Sequence, residues 1–336
     1  MSTQQGALDR LLADTDNLLL TLLENMIWPI LLLVIIAIFI AVPQTLSTFN
    51  SIQLILWGGV PIGLLVLAES ICLLSGHFDL SIGAIAGLSG MLTGMVVGTC
   101  PACWGVSHNA FVGFGLIVLI GLAIGVFNGY MVGVVGINPF LQTLSFLIIV
   151  QGARTALNTQ PATGLPSLYI FPGSKPKVAI GIMLVAFVLF GLVMRYTRFG
   201  QAVYATGSDE RSAREVGIST SRVIIAVYAI SGVLSAIAGL MITGFTGIVP
   251  PLIGDGLVFQ AFAGAVIGGI SLFGGRGKVT GALGGVILIQ VIQSALNNST
   301  VIGATQIQMI NGIVLFVAIL LYSTQESIRS RILAST

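Results

Sequence analysis

The sequence predicts an all-α fold: a polytopic membrane bundle of about ten transmembrane helices with both termini on the cytoplasmic side. Three observations carry this expectation. Of the 336 residues, 56% are apolar and only 7% charged, against about 25% charged in soluble domains, and the mean hydropathy is +1.06. The apolar residues fall into runs long enough to cross a bilayer. The basic residues sort to one side of the resulting topology.

A hydrocarbon core of ~30 Å takes about 20 apolar residues per helix. Such runs lie at 27–46, 52–74, 80–99, 110–135, 140–157, 178–195, 222–246, 257–273, 278–297 and 304–322. Open β-structure at that depth is excluded, because each unpaired backbone group there costs several kcal/mol. The chain therefore divides into an N-terminal segment 1–26, a transmembrane domain 27–322 and a tail 323–336. With the N-terminus inside, Arg10, Arg195, Arg198, Arg211, Arg214, Arg222, Arg276, Lys278, Arg329 and Arg331 are cytoplasmic, whereas only Arg154, Lys175 and Lys177 lie outside. Such a bias sets orientation and places both termini in the cytoplasm.

The first 24 residues carry Asp9, Asp14, Asp16 and Glu24, which is not the basic head of a secretory signal. Two loops stand out. Residues 158–177, with Pro161, Pro166, Pro172 and Pro176, are expected as a rigid external loop. Residues 196–221 are the one long cytoplasmic loop. There Ser208 and Asp209 can cap a short helix over 210–216, lying under the membrane.

Several activities have no residues to stand on. Polar stretches are loop-sized, no GxxxxGK[ST] phosphate loop is present, and His77 and His108 are isolated from any Ser/His/Asp set. Cys72 lies within an apolar run and reads as packing. Cys100 and Cys103 form CPAC, either a disulfide or unpaired thiols; a zinc site would need two further ligands, and only His108 is near in sequence. No enzyme activity, metal or nucleic-acid partner is expected.

Ionisable groups at membrane depth are costly, by ~2.5–3.5 kcal/mol on insertion scales. Glu69, near the end of the second span, is either neutralised by protonation or a helix neighbour, or lines a water-filled path. Asp79 sits in a glycine-bounded turn, where it can cap the next helix by accepting from Ser81 or Ile82. Asn128, Asn138, Gln142, Gln151 and Gln260 add neutral amides, and Gln290, Gln293 and Asn297 recur on one face of the ninth span. Amides offer paired donors and acceptors without net charge, as a polyol requires; they also bind helices together. Glu69, Asp79, Asn128, Gln290, Gln293 and Asn297 are thus the candidates for a translocation path. A fainter feature is an internal echo: 75–87 (SGHFDLSIGAIAG) aligns with 273–285 (FGGRGKVTGALGG), pairing Gly76 with Gly274, Gly83 with Gly281 and Gly87 with Gly285.

Six segments, in order, resemble one family. GHFDLSIG (76–83), FNG (127–129), NPFLQTL (138–144), RFGQAVYATGSDERSAREVGIS (198–219), SGVLSAIAGL (231–240) and AVIGGISLFGGRGKVTGALGG (265–285) are similar to the ribose-type monosaccharide permeases of ATP-binding-cassette importers. The resemblance spans about 50 to 322. It departs at GHFDLS, where GGIDLS is usual, at Glu69, where a neutral residue is common, and at Asp209 in place of asparagine.

The resemblance implies a prokaryotic inner-membrane permease that pairs with a second permease copy. It would dock on ABC ATPase subunits that hold the ATP and Mg, the chain itself carrying no cofactor, and would receive sugar from an extracytoplasmic binding protein. Residues 207–218 would be the helix that couples to the ATPase, with Gly207, Glu210, Arg211, Ala213, Arg214, Gly217 and Ile218 its marked positions. Asp79 matches the family's DLS aspartate, and Gly274 and Gly275 its late glycine turn. A nucleoside or a furanosyl signalling molecule is the alternative cargo, and a proton-coupled carrier using Glu69 and Asp79 the alternative class.

Overall fold

A computed structural model describes residues 25–299 and scattered positions between 306 and 327. The expected tenth span, 304–322, and the segments 1–24 and 328–336 lie outside that continuous stretch. Between 25 and 299 the chain forms α1 (Ile27–Ala41), α2 (Phe49–Leu74), α3 (Ile82–Val97), α4 (Ala110–Tyr130), α5 (Pro139–Leu157), α6 (Ser167–Ser174), α7 (Pro176–Tyr196), α8 (Arg198–Ser208), α9 (Glu210–Glu215), α10 (Thr220–Thr246), α11 (Leu257–Ile267) and α12 (Val279–Asn298). A π-helical turn, Met131–Val135, prolongs α4. Among the described residues the β-structure is a single bridge between Ala162 and Val249.

Six of these helices are long and apolar enough to cross a bilayer: α2, α4 with its π turn, α5, α7, α10 and α12. Three more apolar helices, α1, α3 and α11, are shorter, at 15, 16 and 11 residues. The chain is a polytopic helical membrane protein. Each of the first nine expected spans falls on a helix, but three are cut short. The run 27–46 is α-helical only to Ala41, ahead of Pro43 and a 3-10 turn. The run 257–273 is helical only to Ile267, because Gly268 and the left-handed Gly269 (φ 84°) turn the chain there. The run 80–99 begins as helix only at Ile82, after a turn that passes through the interior. Irregular backbone at that depth is tolerated where protein surrounds it.

The helices start where the sequence supplies acceptors for their free amides. Thr48 caps α2 by accepting from Ser51 N–H at 3.1 Å. Asn109 caps α4, accepting from Phe111 N–H at 2.9 Å. Asn138, expected as a membrane amide, instead caps α5 by accepting from Phe140 and Leu141.

Two helices form the centre. In α2 every residue from Gly59 to Leu74 is buried, and α10 is buried along most of its length. By contrast α4, α5 and α7 turn apolar faces outward; Val185, Val188, Leu189 and Leu192 of α7 are all exposed. A soluble protein could not leave such a surface uncovered. The α4–α10 contact shows how the centre closes. Gly121, Gly125, Gly129 and Gly133 line one face of α4 at every fourth residue, and a Cβ on any of them would come to 3.0 Å or less from α10. Small residues in this spacing let two backbones touch, so dispersion and weak polar contacts hold helices together without a hydrophobic drive.

The internal echo has a structural counterpart. Gly76 (φ 80°) and Gly274 (φ 83°) are both left-handed turns, and the helices that follow begin at Ile82 and Val279, one residue apart in the alignment. Gly83 and Gly87 then pack on the backbone of Gly254 and Ile253, as Gly281 and Gly285 pack on Gly268 and Gly264. One expectation is corrected. The proline-rich stretch 158–177 is not simply a surface loop: its second half is α6, set against α10 through Gly173 and Gly244. Tyr169 of α6 is fully buried, and Gly173 O accepts from Trp57 Nε1 at 2.7 Å.

Candidate functional site

Arg211, Arg214 and Glu215 form a cluster of exposed charges on α9, which follows α8 at one end of the bundle. The expected short helix is there, but it is one of two. Thr197 accepts from Gly200 N–H at 3.1 Å to cap α8, which runs to Ser208. Asp209 then caps α9, accepting from Ser212 N–H at 2.6 Å. These bonds from the Ser212 backbone and side chain favour the charged form and hold the Asp209 carboxyl below its usual range.

Within α9, Glu210 and Arg214 form an i,i+4 ion pair, and Arg214 Nε donates to Thr220 Oγ1 at 2.8 Å. Burial acts to raise the Glu210 pKa, but the bonds from Arg214 and Thr220 outweigh it and the net shift is downward. Arg211 and Glu215 pair at 3.4 Å, with side chains 90% and 67% exposed. Ala213, 3% exposed, faces inward. The helix stops by a Schellman arrangement: Gly217 is left-handed (φ 87°), its N–H donates to Arg214 O at 3.0 Å, and Ile218 N–H donates to Ala213 O at 3.0 Å. Ala213, Gly217 and Ile218, singled out by family pattern, are thus the helix's own stop signal.

Gly207 fixes this unit to the bundle. A Cβ on it would overlap the Leu74 carbonyl at the end of α2 and lie 2.7 Å from the Gly275 amide. That amide in turn donates to Leu74 O at 3.0 Å. The end of α8, the end of α2 and the turn leading into α12 therefore meet at backbone contact. His77 lies beside this junction, its Nδ1 2.8 Å from Ser75 O, and burial lowers its pKa.

Deeper in, Asp79 is completely buried and fully partnered. Its Oδ1 accepts from Ser81 N–H at 3.1 Å and Ser81 Oγ at 2.5 Å; its Oδ2 accepts from Ser231 Oγ at 2.9 Å. Asn128 Nδ2 donates to Ser81 Oγ at 3.1 Å, and Gln142 Nε2 donates to Asn128 Oδ1 at 3.1 Å. Tyr228 Oη donates to the neighbouring Phe78 carbonyl at 2.6 Å. Donors thus run in one direction, Gln142 to Asn128 to Ser81 to Asp79, joining α5, α4, the start of α3 and α10. Such a chain polarises itself and is costly to break. The expected bond from Ser81 N–H is present, but it closes a turn ahead of α3, whose first helical turn has no side-chain cap.

The remaining path candidates are scattered. Glu69 is fully buried beside Asp79, whose backbone amide lies toward its carboxylate, and neither carboxylate oxygen has a side-chain partner. Gln290 lies against Gly58 and Gly59 of α2. Gln293 borders a small recess with Gln260, and Asn297 is exposed near the end of α12. Cys100 and Cys103 are joined as a disulfide, and His108 Nδ1 sits 3.0 Å from Val97 O.

The structure also assembles a pair that the sequence did not announce. Arg154, expected at the external side of the bundle, is 2% exposed and grips Asp255 with both terminal nitrogens, at 2.7 and 2.9 Å. It also donates to Ile253 O at 2.6 Å, while Gln151 Nε2 donates to Asp255 Oδ1 at 3.1 Å. Asp255 borders a cavity of about 350 Å³ between α2, α10 and the 250–257 turn, with Gly58, Pro61, Phe245 and Thr246 among its walls. A carboxylate held rigid beside an aromatic ring and a hydroxyl can accept from hydroxyl groups of a small polar solute. Gln290 borders the same region through Gly58. The only signal in the sequence was an arginine and an aspartate in apolar surroundings, about a hundred positions apart.

Comparison with known proteins accords with this architecture. Residues 51–322 match the model of the family described as "branched-chain amino acid transport system / permease component". The ribose import permease protein of Bacillus subtilis (strain 168) is 33% identical over 304 residues, covering 87% of this chain and 90% of its own length. The D-allose transport system permease protein of Escherichia coli (strain K12) is 32% identical, over 85% of this chain and 87% of its own. An autoinducer 2 import system permease protein from Photorhabdus laumondii is 32% identical, over 75% and 74%. No solved structure matches. These are permease components and not enzymes. The chain belongs to the branched-chain amino acid transport system / permease component family, and the members it is similar to are of the ribose type.

Proposed function

We propose that the chain is the membrane-spanning subunit of an ATP-binding-cassette importer that moves a monosaccharide delivered by an extracytoplasmic binding protein. In this proposal ten helices cross a prokaryotic inner membrane with both termini cytoplasmic. Two permease copies sit on two ATPase subunits, which bind the ATP and Mg. The single observation that carries it is the α8–α9 unit: a charged, capped helix projecting from the bundle, anchored through Gly207 to the ends of α2 and the turn before α12. A push on α9 reaches two bundle helices without passing through a flexible link. The path would then open to one face or the other by rigid-body movement.

A monosaccharide is favoured over a branched-chain amino acid because the ribose and allose permeases are among the relatives and the Asp255 cavity offers a fixed acceptor. An autoinducer-2-type solute is the second reading, carried by the Photorhabdus relative. Among the path candidates, Asp79 and Asn128 serve as ties between helices in this conformation, while Glu69 lies on α2 beside Asp79 and Gln290 packs on Gly58 and Gly59 of the same helix. The test is capture of the ATPase subunit by the permease. Glu210→Ala with Arg214→Ala, and separately Arg211→Glu, should each weaken capture by about tenfold, or 1.4 kcal/mol. Undiminished capture by both variants would refute α9 as the docking element.

A further inference from the structure

We propose that a groove between the end of α7, α8 and the start of α12 is a binding site for one anionic phospholipid. The groove has a volume of about 800 Å³ and is lined by residues of two kinds. Along α7 run Val188, Leu192 and Tyr196, spaced four apart on one face and 60%, 48% and 69% exposed. They continue the outward apolar surface that α7 turns to the bilayer. At the other end stand Arg195, Lys278, Gln201 and Thr280, and among the described residues no carboxylate lines the groove.

An acyl chain fits the apolar track, and a phosphodiester fits the basic end. Arg195 is already drawn to that end, its guanidinium 5.3 Å from the Tyr196 ring centre. The floor is rigid, since Tyr204 Oη donates to Gly277 O at 3.0 Å. The first turn of α12 adds to the positive field: no side chain caps it, and the Val279 and Thr280 positions that carry its leading amides line the groove. Basic pockets between helices at the membrane surface take anionic head groups in this way. A free phosphate would meet the same basic end but gain nothing from the α7 track.

The site adjoins α8, whose far end carries Gly207 and leads into α9. A bound lipid braces the outer side of the α8 unit, which the glycine junction holds only from within.

The experiment is native mass spectrometry of the full chain in neutral detergent, with phosphatidylglycerol or phosphatidylcholine of identical acyl chains, and with inorganic phosphate as competitor. The expected result is retention of one phosphatidylglycerol in preference to phosphatidylcholine, not displaced by phosphate. Arg195→Gln with Lys278→Gln should lower that retention about tenfold or more, and Leu192→Asn should lower retention of the lipid without creating phosphate binding. Arg222→Gln, at the same end of the bundle but off the groove, should leave retention unchanged. All these side chains except the leucine are polar and exposed, so melting temperatures equal to wild type confirm intact folds. Equal retention of the two lipids, displacement by phosphate, unchanged retention in the double variant, or equal loss in Arg222→Gln would each overturn the assignment.

Discussion

Gly207 meets Leu74 backbone to backbone: no side-chain atom fits between the α-carbon of one and the carbonyl oxygen of the other. The contact joins the helix that precedes α9 to the most deeply buried helix of the bundle. It gives the projecting α9 a short mechanical route to the interior, and it makes Gly207 intolerant of any substituent.

Gly207→Ala should therefore separate the α8 end from α2 and the Gly275 turn. Overpacking of this kind costs about 1–3 kcal/mol. A lower melting temperature in detergent is expected, together with loss of ATP-driven uptake in vesicles at normal expression. Wild-type stability and uptake would show that the junction transmits nothing.

The α9 cap makes a second prediction, with a defined sign. The Asp209 pKa is lowered in the fold from 3.8, so its contribution is complete above pH 3.8 and is lost as pH falls through the depressed value. Asp209→Ala should destabilise the helix, whereas Asp209→Asn should retain most of the cap. Hydrogen exchange at 210–216 reads both: faster exchange in the alanine variant at neutral pH, near wild type in the asparagine variant. In acid, only the aspartate chain should lose protection on protonation.

Arg154 and Asp255 predict an asymmetry. Asp255→Ala leaves a buried guanidinium unpaired, which costs about 3–5 kcal/mol, while replacing both partners with apolar residues of similar volume removes most of that penalty. Melting temperatures of Asp255→Ala and of Arg154→Met with Asp255→Leu check this. If the double variant is as unstable as the single one, the pair holds the fold by more than mutual neutralisation. Uptake should fail in both, if Asp255 also faces the solute.

Glu69 and Asp79 separate the two classes of transporter. Glu69→Gln should retain most ATP-driven uptake, because neither carboxylate oxygen has a side-chain partner and an amide oxygen can still accept from the Asp79 backbone N–H. Asp79→Asn keeps an acceptor for Ser81 or Ser231 but not both without rearrangement, so its expected loss is of stability first. A proton-coupled carrier would instead lose accumulation in both variants while keeping its fold. Uptake driven by a pH gradient in wild-type vesicles checks the same point.

How legible all this was depends on what a local pattern records. The spans were readable because a bilayer demands long apolar runs, and the runs 27–46 through 278–297 each contain a helix. Their true lengths were not readable at 80–99 and 257–273, since hydropathy is silent about a backbone turned by Gly269 or a buried turn at Asp79. Asp209 could be named as a cap because capping is local to three residues. α8 was hidden because its polar face reads as loop, and α6 because prolines suggest a surface. Arg154 and Asp255 were beyond reach: their pairing depends on how α5 and the 250–257 turn are brought together, and nothing near either residue records it. Asp79 and Asn128 were picked out as unusual for sound energetic reasons, yet their polarity is satisfied by Ser81, Ser231 and Gln142 rather than by an open path.

The most direct measurement is sugar uptake by proteoliposomes that contain the permease with and without its ATPase and binding protein, at fixed pH and ion gradients. Concentrative uptake of a monosaccharide such as ribose that requires both partners and ATP, and is reduced by Arg211→Glu, is the expected result. Concentrative uptake by the permease alone would contradict the account.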